Sequence, residues 1–283
     1  MALWDKIGSR GDVEDRRGMG GGTMALSGVG GLVVFLLFAF LGGGTGDSGS
    51  ILEQALNQTV TQSSQSTEQP AEFQGADKYE MFTSKVLGSN NDTWSGIFAV
   101  QGRDYTAPKL VLFRQATQSG CGYASTAVGP HYCPADQTIY LDETFFDELQ
   151  KRFGGSSGDV AQAYVIAHEA GHHVQNLLGT MDEADAGASQ TGEGSASVAL
   201  ELQADCYAGI WMHSLSAEGI LQSGEIEQAL SAAAAVGDDH IQKTETGATN
   251  PETWTHGSSA ERTKWFKVGY STGKLTSCDT FAG

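Results

Sequence analysis

The chain has 283 residues, 40% of them hydrophobic, enough for one ordinary domain with a real core plus appendages. Its formal net charge of −18 opposes phosphate backbones and anionic lipid heads, which excludes nucleic acid as a partner.

Residues 1–23 are polar and glycine-rich and carry Lys6, Arg10, Arg16 and Arg17 beside acidic residues. Met24–Leu41 is an uncharged apolar run, extended by Gly42, Gly43 and Gly44. At about 1.5 Å per residue it just spans a bilayer as a helix. No Lys or Arg follows until Lys78. One-sided positive charge predicts a cytoplasmic tail at 1–23, a transmembrane helix at 24–44 and an exported remainder, that is, a single-pass protein of the cell membrane. A cleaved signal peptide is the competing reading, but its apolar core would be shorter, and no A-x-A site follows this one. Residues 45–76, rich in Ser, Thr, Gln and Gly, read as a flexible linker.

The folded domain is expected at 77–283. Asp77–Leu87 reads as a helix. Leu110–Phe113 and Thr138–Leu141 are short β-branched, apolar or aromatic runs bounded by turn residues, and read as strands. Glu143–Phe153 reads as a helix stopped by Gly154. Asp159–Leu178 is a stronger one, capped by Ser156, Ser157 or Asp159 and stopped by Gly179. Helices are further expected at Gly194–Leu215, Gly224–Gln242 and Ser258–Tyr270, the last opened by Ser258 and Glu261 at capping-box spacing. Few strands among many helices give an α+β domain dominated by helices.

Cys121, Cys133, Cys206 and Cys278 are an even set with no zinc-ribbon spacing. In an exported domain they would form two bridges, and the preferred pairing is Cys121–Cys133 and Cys206–Cys278. Four buried thiols are the alternative.

The chemistry concentrates in His168-Glu169-Ala170-Gly171-His172, an H-E-x-x-H motif inside the strongest helix. Residues i and i+4 share one helix face, so both imidazoles can reach a single ion. Glu169 lies beside that face, where it can reach a water on the metal but cannot easily join the ligands. Ala170 and Gly171 keep the helix thin enough for another element to approach. A catalytic zinc needs a third protein ligand and an open position. The next helix offers Glu201 as that ligand. Asp205, one turn on, can accept a hydrogen bond from a ligating histidine and fix its tautomer. Most helix carboxylates are simply solvated. Here the neighbours Ala199, Leu200, Leu202, Ala204, Cys206, Tyr207 and Ala208 are apolar, small or aromatic, so these two carboxylates need partners.

H-E-x-x-H followed by E-x-x-A-D resembles the gluzincin metallopeptidases. The longer strings are similar to the neutral zinc metallopeptidase family of YpfJ type. They are His168-Glu169-Ala170-Gly171-His172-His173-Val174-Gln175-Asn176, Cys121-Gly122, Gly129-Pro130-His131-Tyr132-Cys133-Pro134, Gly237-Asp238-Asp239-His240-Ile241-Gln242 and Thr255-His256-Gly257, with Val13-Glu14-Asp15-Arg16-Arg17 near the N-terminus. The resemblance covers nearly the whole chain. It implies a zincin-like domain with one Zn2+ per chain, a peptide or protein substrate, and hydrolysis with Glu169 as general base. It also implies a substrate-pairing edge strand ahead of the metal helix, for which Gln137–Asp142 is the candidate. A histidine near the place of His256 should donate to the developing oxyanion.

Other residues read more plainly. His173 points away from the ligands and reads as a core or supporting histidine. Asp238, Asp239 and His240 read as a charged surface turn. Trp265, Phe266 and Tyr270 read as core, and His131 as exposed. A membrane-tethered binding or assembly module with a structural or vestigial zinc is the second hypothesis. The intact Glu169 speaks against it, since a structural site has no need of a base.

Overall fold

Alternation along two short apolar runs organises the sheet. The computed structural model describes residues 2–18, 71–72, 78–185, 189–222 and 224–281. In β3 (Lys109–Phe113) and β7 (Thr138–Asp142), Leu110, Leu112, Ile139 and Leu141 join the main helical core. Val111, Phe113 and Tyr140 join a smaller cluster with Ala124 and Cys133. This is the period-2 partition expected of a sheet covered on both faces. β3 and β7 pair in parallel, Leu110 opposite Ile139 and Leu112 opposite Leu141. β1 (Val13–Asp15) runs parallel to β3, and β2 (Ala71–Glu72) antiparallel to β1. β6 (His131–Cys133) is antiparallel to β7, giving the order β2-β1-β3-β7-β6. A separate hairpin, β4 (Ala116–Ser119) and β5 (Gly122–Ser125), is tied to β6 by the Cys121–Cys133 disulfide.

The helices are α1 (Lys78–Val100), α2 (Phe145–Phe153), α3 (Asp159–Leu178), α4 (Thr180–Asp185), α5 (Ala196–Ala217), α6 (Ile226–Ala235), α7 (Asp238–Thr246) and α8 (Ser259–Thr272). Val160, Ala163, Tyr164, Ile166, Ala167 and Ala170 bury α3 in the main core with the sheet. Gly179, at φ 84°, ends it by donating its N–H back to the carbonyls of Gln175 and Asn176. Ser195 caps α5 through Val198 N–H, and Ser258 and Glu261 form the expected capping box on α8.

Glycines set how closely these helices meet. A Cβ on Gly171 would sit 3.1 Å from the Ala204 backbone, so α3 and α5 approach there nearly backbone to backbone. α8 presses harder on α5, since a Cβ on Gly269 would lie 1.9 Å from the carbonyl oxygen of Cys206. The Cys206–Cys278 disulfide fastens the chain beyond α8 to the same helix. Both bridges match the preferred pairing.

Several elements depart from expectation for tertiary reasons. α1 runs to Val100 instead of stopping near Leu87. Gly88 lies against the Arg10 backbone, and Trp94 and Phe98 are buried, so packing overrides a weak helical sequence. The helix expected at 224–242 is two helices, α6 and α7. The chain breaks at Val236–Gly237, where a Cβ on Gly237 would meet Ser259 N at 2.4 Å.

The membrane reading requires correction. Among the described residues no helix is long and apolar enough to cross a membrane. The span expected at 24–44 lies outside the described residues. So does the linker at 45–76, apart from Ala71–Glu72, which form β2. The stretch read as a cytoplasmic tail is part of the domain. Val13, Glu14 and Asp15 pair with Leu110, Val111 and Leu112, and Trp4 Nε1 donates to Asp159 Oδ2 at 2.7 Å. Ala2, Ile7 and Val13 are buried in the main core, where filling a site of this kind with a Val or Ile stabilises by about 1.5–3 kcal/mol. Hydrogen-bonded neighbours in one sheet cannot lie on opposite sides of a bilayer, so the topology with tail inside and domain outside is overturned. Among the described residues the fold is a mixed, helix-rich α and β structure with no membrane-spanning helix, so the expected single-pass membrane localisation is not supported.

Candidate metal centre

α3 and α5 carry the site. The one-turn spacing on α3 puts the His168 and His172 rings 4.8 Å apart, nearly perpendicular. Across the Gly171–Ala204 contact, α5 brings up Glu201. His168 Nε2 is 3.1 Å from Glu201 Oε2, and His172 Nε2 is 3.3 Å from Glu201 Oε1. One ligand atom from each of His168, His172 and Glu201 lies within 4.8 Å of the others. Two imidazole nitrogens and a carboxylate oxygen are the donor set of a catalytic zinc with an open fourth position. The residues therefore fit the ion.

Each histidine is held from its far side. His168 Nδ1 donates to Asp205 Oδ1 at 3.0 Å, as the E-x-x-A-D spacing predicts. Asp205 is fully buried, and it also accepts from Tyr164 Oη and from Arg262 through Nε (2.8 Å) and Nη2 (3.1 Å). Arg262 arrives on α8, and its Nη2 is 3.6 Å from Glu201 Oε2. His172 Nδ1 contacts Gln175 Oε1 at 2.9 Å. Sequence reasoning passed over Arg262 and Gln175. The faint signal for Arg262 was its place one turn before Phe266, on the face of α8 that is buried.

Charge and burial compete here. Burial opposes a charge on His168, but the carboxylates of Asp205 and Glu201 outweigh it and raise its pKa to about 10. Burial would raise Glu201, yet nearby His256 and His172 and the imidazole hydrogen bonds hold it well below the usual carboxylate range. Glu169 is buried at 6% exposure, and among the described residues nothing hydrogen-bonds or ion-pairs with its carboxylate.

His256 is not one of the converging three; burial would lower its pKa, but the Glu201 and Asp238 carboxylates raise it above the ordinary histidine value. Its Nδ1 is 2.9 Å from Thr255 Oγ1 and 3.4 Å from Asp238 Oδ1. Asp238 is no surface residue. It is fully buried at the start of α7, and its Oδ2 accepts the backbone N–H groups of Thr255, His256 and Gly257 at 2.8, 2.7 and 3.0 Å. Asp239 accepts from Ser259, and His240 Nε2 contacts the Phe153 carbonyl, so neither joins a second metal cluster. His173 is buried between Tyr132 Oη (3.0 Å) and the Thr106 carbonyl (2.6 Å), a supporting role as expected. His131 is half-buried and stacks on Tyr140. Of the expected core trio, Phe266 is fully buried, while Trp265 and Tyr270 are partly so.

The substrate strand expected at Gln137–Asp142 also needs correction. β7 is flanked by β3 and β6, so both its backbone edges are taken. The sheet edge on that side is β6, held to α3 by Tyr132 Oη, which also accepts from Asn176 Nδ2 at 2.9 Å.

The model of the family described as "Putative neutral zinc metallopeptidase" matches residues 2–281. The chain is 42% identical over 281 residues to the uncharacterized protein YpfJ of Escherichia coli K12, covering 95% of each. It is 48% identical over 221 residues to the uncharacterized protein Rv2575 of Mycobacterium tuberculosis H37Rv, covering 74% of this chain and 73% of that one. No solved structure matches. The match begins at residue 2, which agrees with the place of β1 in the sheet. On this evidence the chain belongs to the neutral zinc metallopeptidase family of which YpfJ is a member.

Proposed function

We propose that this protein is a zinc-dependent peptidase that hydrolyses peptide bonds, with one zinc held by His168, His172 and Glu201. One observation carries the reading: two histidines and a carboxylate converge within 4.8 Å, and the residue next to the first histidine on α3 is Glu169, 6% exposed, to which no described residue hydrogen-bonds or ion-pairs. A structural site would have no use for that fourth group.

Zinc, when bound there, supplies an acidified water and a Lewis acid for the scissile carbonyl. Glu169 takes the proton from the attacking water and passes it to the leaving amine. Asp205 holds His168 with its Nδ1 protonated, leaving Nε2 free to ligate. His256 donates to the oxygen on which charge develops. Asp238 fixes the loop that carries it through three backbone hydrogen bonds, and faces the Nδ1 side of its ring. The substrate is a peptide or protein, as the family implies.

The test is incubation of the purified full-length protein with a peptide library, with and without chelator. Cleavage that the chelator abolishes and added zinc restores is the expected result. One tightly held zinc per chain with no cleavage at all would instead favour a structural metal.

A further inference from the structure

His172 is braced differently from His168. Among the described residues no carboxylate partners its Nδ1. Its Nδ1 meets an amide oxygen, Gln175 Oε1, at 2.9 Å. Gln175 Nε2 donates to the Leu200 carbonyl at 2.7 Å and to Gln203 Oε1 at 3.1 Å. Gln203 Nε2 donates in turn to the Cys278 carbonyl at 3.0 Å. Three of these residues are sequestered: Gln175 is fully buried, Gln203 is 7% exposed and Cys278 2%.

The chain of bonds has a fixed direction. A backbone carbonyl only accepts, so Cys278 O forces the Gln203 nitrogen toward itself and the Gln203 oxygen toward Gln175. The Leu200 carbonyl imposes the same sense on Gln175. The one Gln175 atom left for His172 is its oxygen, which only accepts. His172 must therefore carry its hydrogen on Nδ1 and keep its lone pair on Nε2, the atom 3.3 Å from Glu201 Oε1. Two main-chain carbonyls on α5 and the C-terminal segment thus select the tautomer of a candidate ligand. Cys278 stays in place because it is disulfide-bonded to Cys206, the residue after Asp205 on α5.

We infer that Gln175 is the positioning residue of His172, and that Gln203 and the Cys206–Cys278 bridge brace it from the C-terminal end of the chain. The inference rests on the reading of His172 as a zinc ligand, and assigns to the C-terminal segment a part in holding the metal.

The experiment measures zinc affinity of the full-length protein against a competing chelator, the visible spectrum of the cobalt-substituted form, and the melting temperature of the metal-free protein. Gln175→Met should weaken zinc about 10- to 100-fold, the usual effect of removing the partner behind a ligating imidazole. It should also alter the cobalt spectrum, with little change in metal-free melting. Gln203→Met should weaken zinc several-fold, as should Cys206→Ala combined with Cys278→Ala. Gln203→Met keeps the bridge, and so decides the matter if the double variant folds poorly. Zinc affinity within twofold of wild type for Gln175→Met, or an unaltered cobalt spectrum in that variant, would overturn the role of Gln175. Unchanged affinity in Gln203→Met would remove the brace. The underlying reading fails separately, if the wild type takes up no zinc or if His172→Ala binds it undiminished.

Discussion

Arg262 Nε lies 2.8 Å from Asp205 Oδ2, and the two residues are 3% and 0% exposed. Such a pair is held together as much by the impossibility of leaving either charge alone as by their attraction. Arg262→Met strands Asp205, and breaking a buried pair from one side costs about 3–5 kcal/mol. The pH dependence has a definite sign. Burial pushes the Asp205 pKa up, but Arg262 and His168 hold it below its ordinary 3.8. Its contribution is therefore present above that value and lost as the pH falls through the folded one. Denaturant titrations should show a wide gap between wild type and Arg262→Met at pH 7, narrowing in acid. A constant gap would mean the loss is one of packing.

Glu169→Gln should retain one zinc per chain and lose about two to four orders of magnitude in turnover, since it removes a proton acceptor and leaves the donor set intact. Metal analysis beside a peptide assay separates the two effects. His168→Ala, His172→Ala and Glu201→Ala should each lose the metal. Full zinc occupancy in Glu201→Ala would strike Glu201 from the ligands.

His256→Phe should lower kcat about a hundredfold while zinc and fold persist, the usual loss when an oxyanion donor is removed. Asp238→Ala should move kcat in the same direction by loosening the 255–257 loop. A His256→Phe enzyme with normal kcat would refute the assignment and leave the oxyanion with a single electrophile.

Gly269→Ala should unfold or severely destabilise the protein, because its Cβ would fall 1.9 Å from the Cys206 carbonyl and drive α8 off α5. Gly171→Ala meets Ala204 at 3.1 Å and should be milder, but the displacement acts on the helix that carries Glu201. Zinc affinity is therefore the more sensitive readout for Gly171→Ala, and melting temperature for Gly269→Ala.

A chain beginning at residue 77 should not fold as the full protein does. It lacks β1, which leaves the edge of β3 unpaired, and it lacks Trp4, Ile7 and Val13 from the core. Circular dichroism and size-exclusion chromatography of the truncated and full chains provide the comparison. A monomeric, cooperatively melting 77–283 fragment would show that β1 is dispensable.

Local sequence pattern carried the elements that hold the chemistry. α3, α5 and α8 announce themselves by helical stops, caps and apolar runs, and one-turn spacing brings His168 and His172 together. What stayed hidden depends on contacts distant in sequence. Val13–Asp15 is too short and too acidic to read as a strand, and becomes one only because Leu110–Leu112 lies beside it. The run of small residues that read as one helix at 224–242 breaks where Ser259 crowds Gly237. Asp238 looks like a surface carboxylate until the 255–257 loop folds over it. Arg262 and Gln175 have no motif, since what they do is set by partners on another helix.

The place of β1 has a consequence for how this architecture can change. β1 and β2 are antiparallel neighbours, so Asp15, where the chain leaves one strand, and Ala71, where it enters the other, lie side by side at the same end of the sheet. The ends of the stretch between them are pinned together by the sheet, whatever its length. For a flexible connection between two such neighbours a doubling of length costs only about 0.6 kcal/mol of closure entropy and need shift no strand register. Evolution can therefore rewrite, shorten or expand that stretch at small energetic expense, while the strands either side of it, and the metal-bearing helices they support, stay in step.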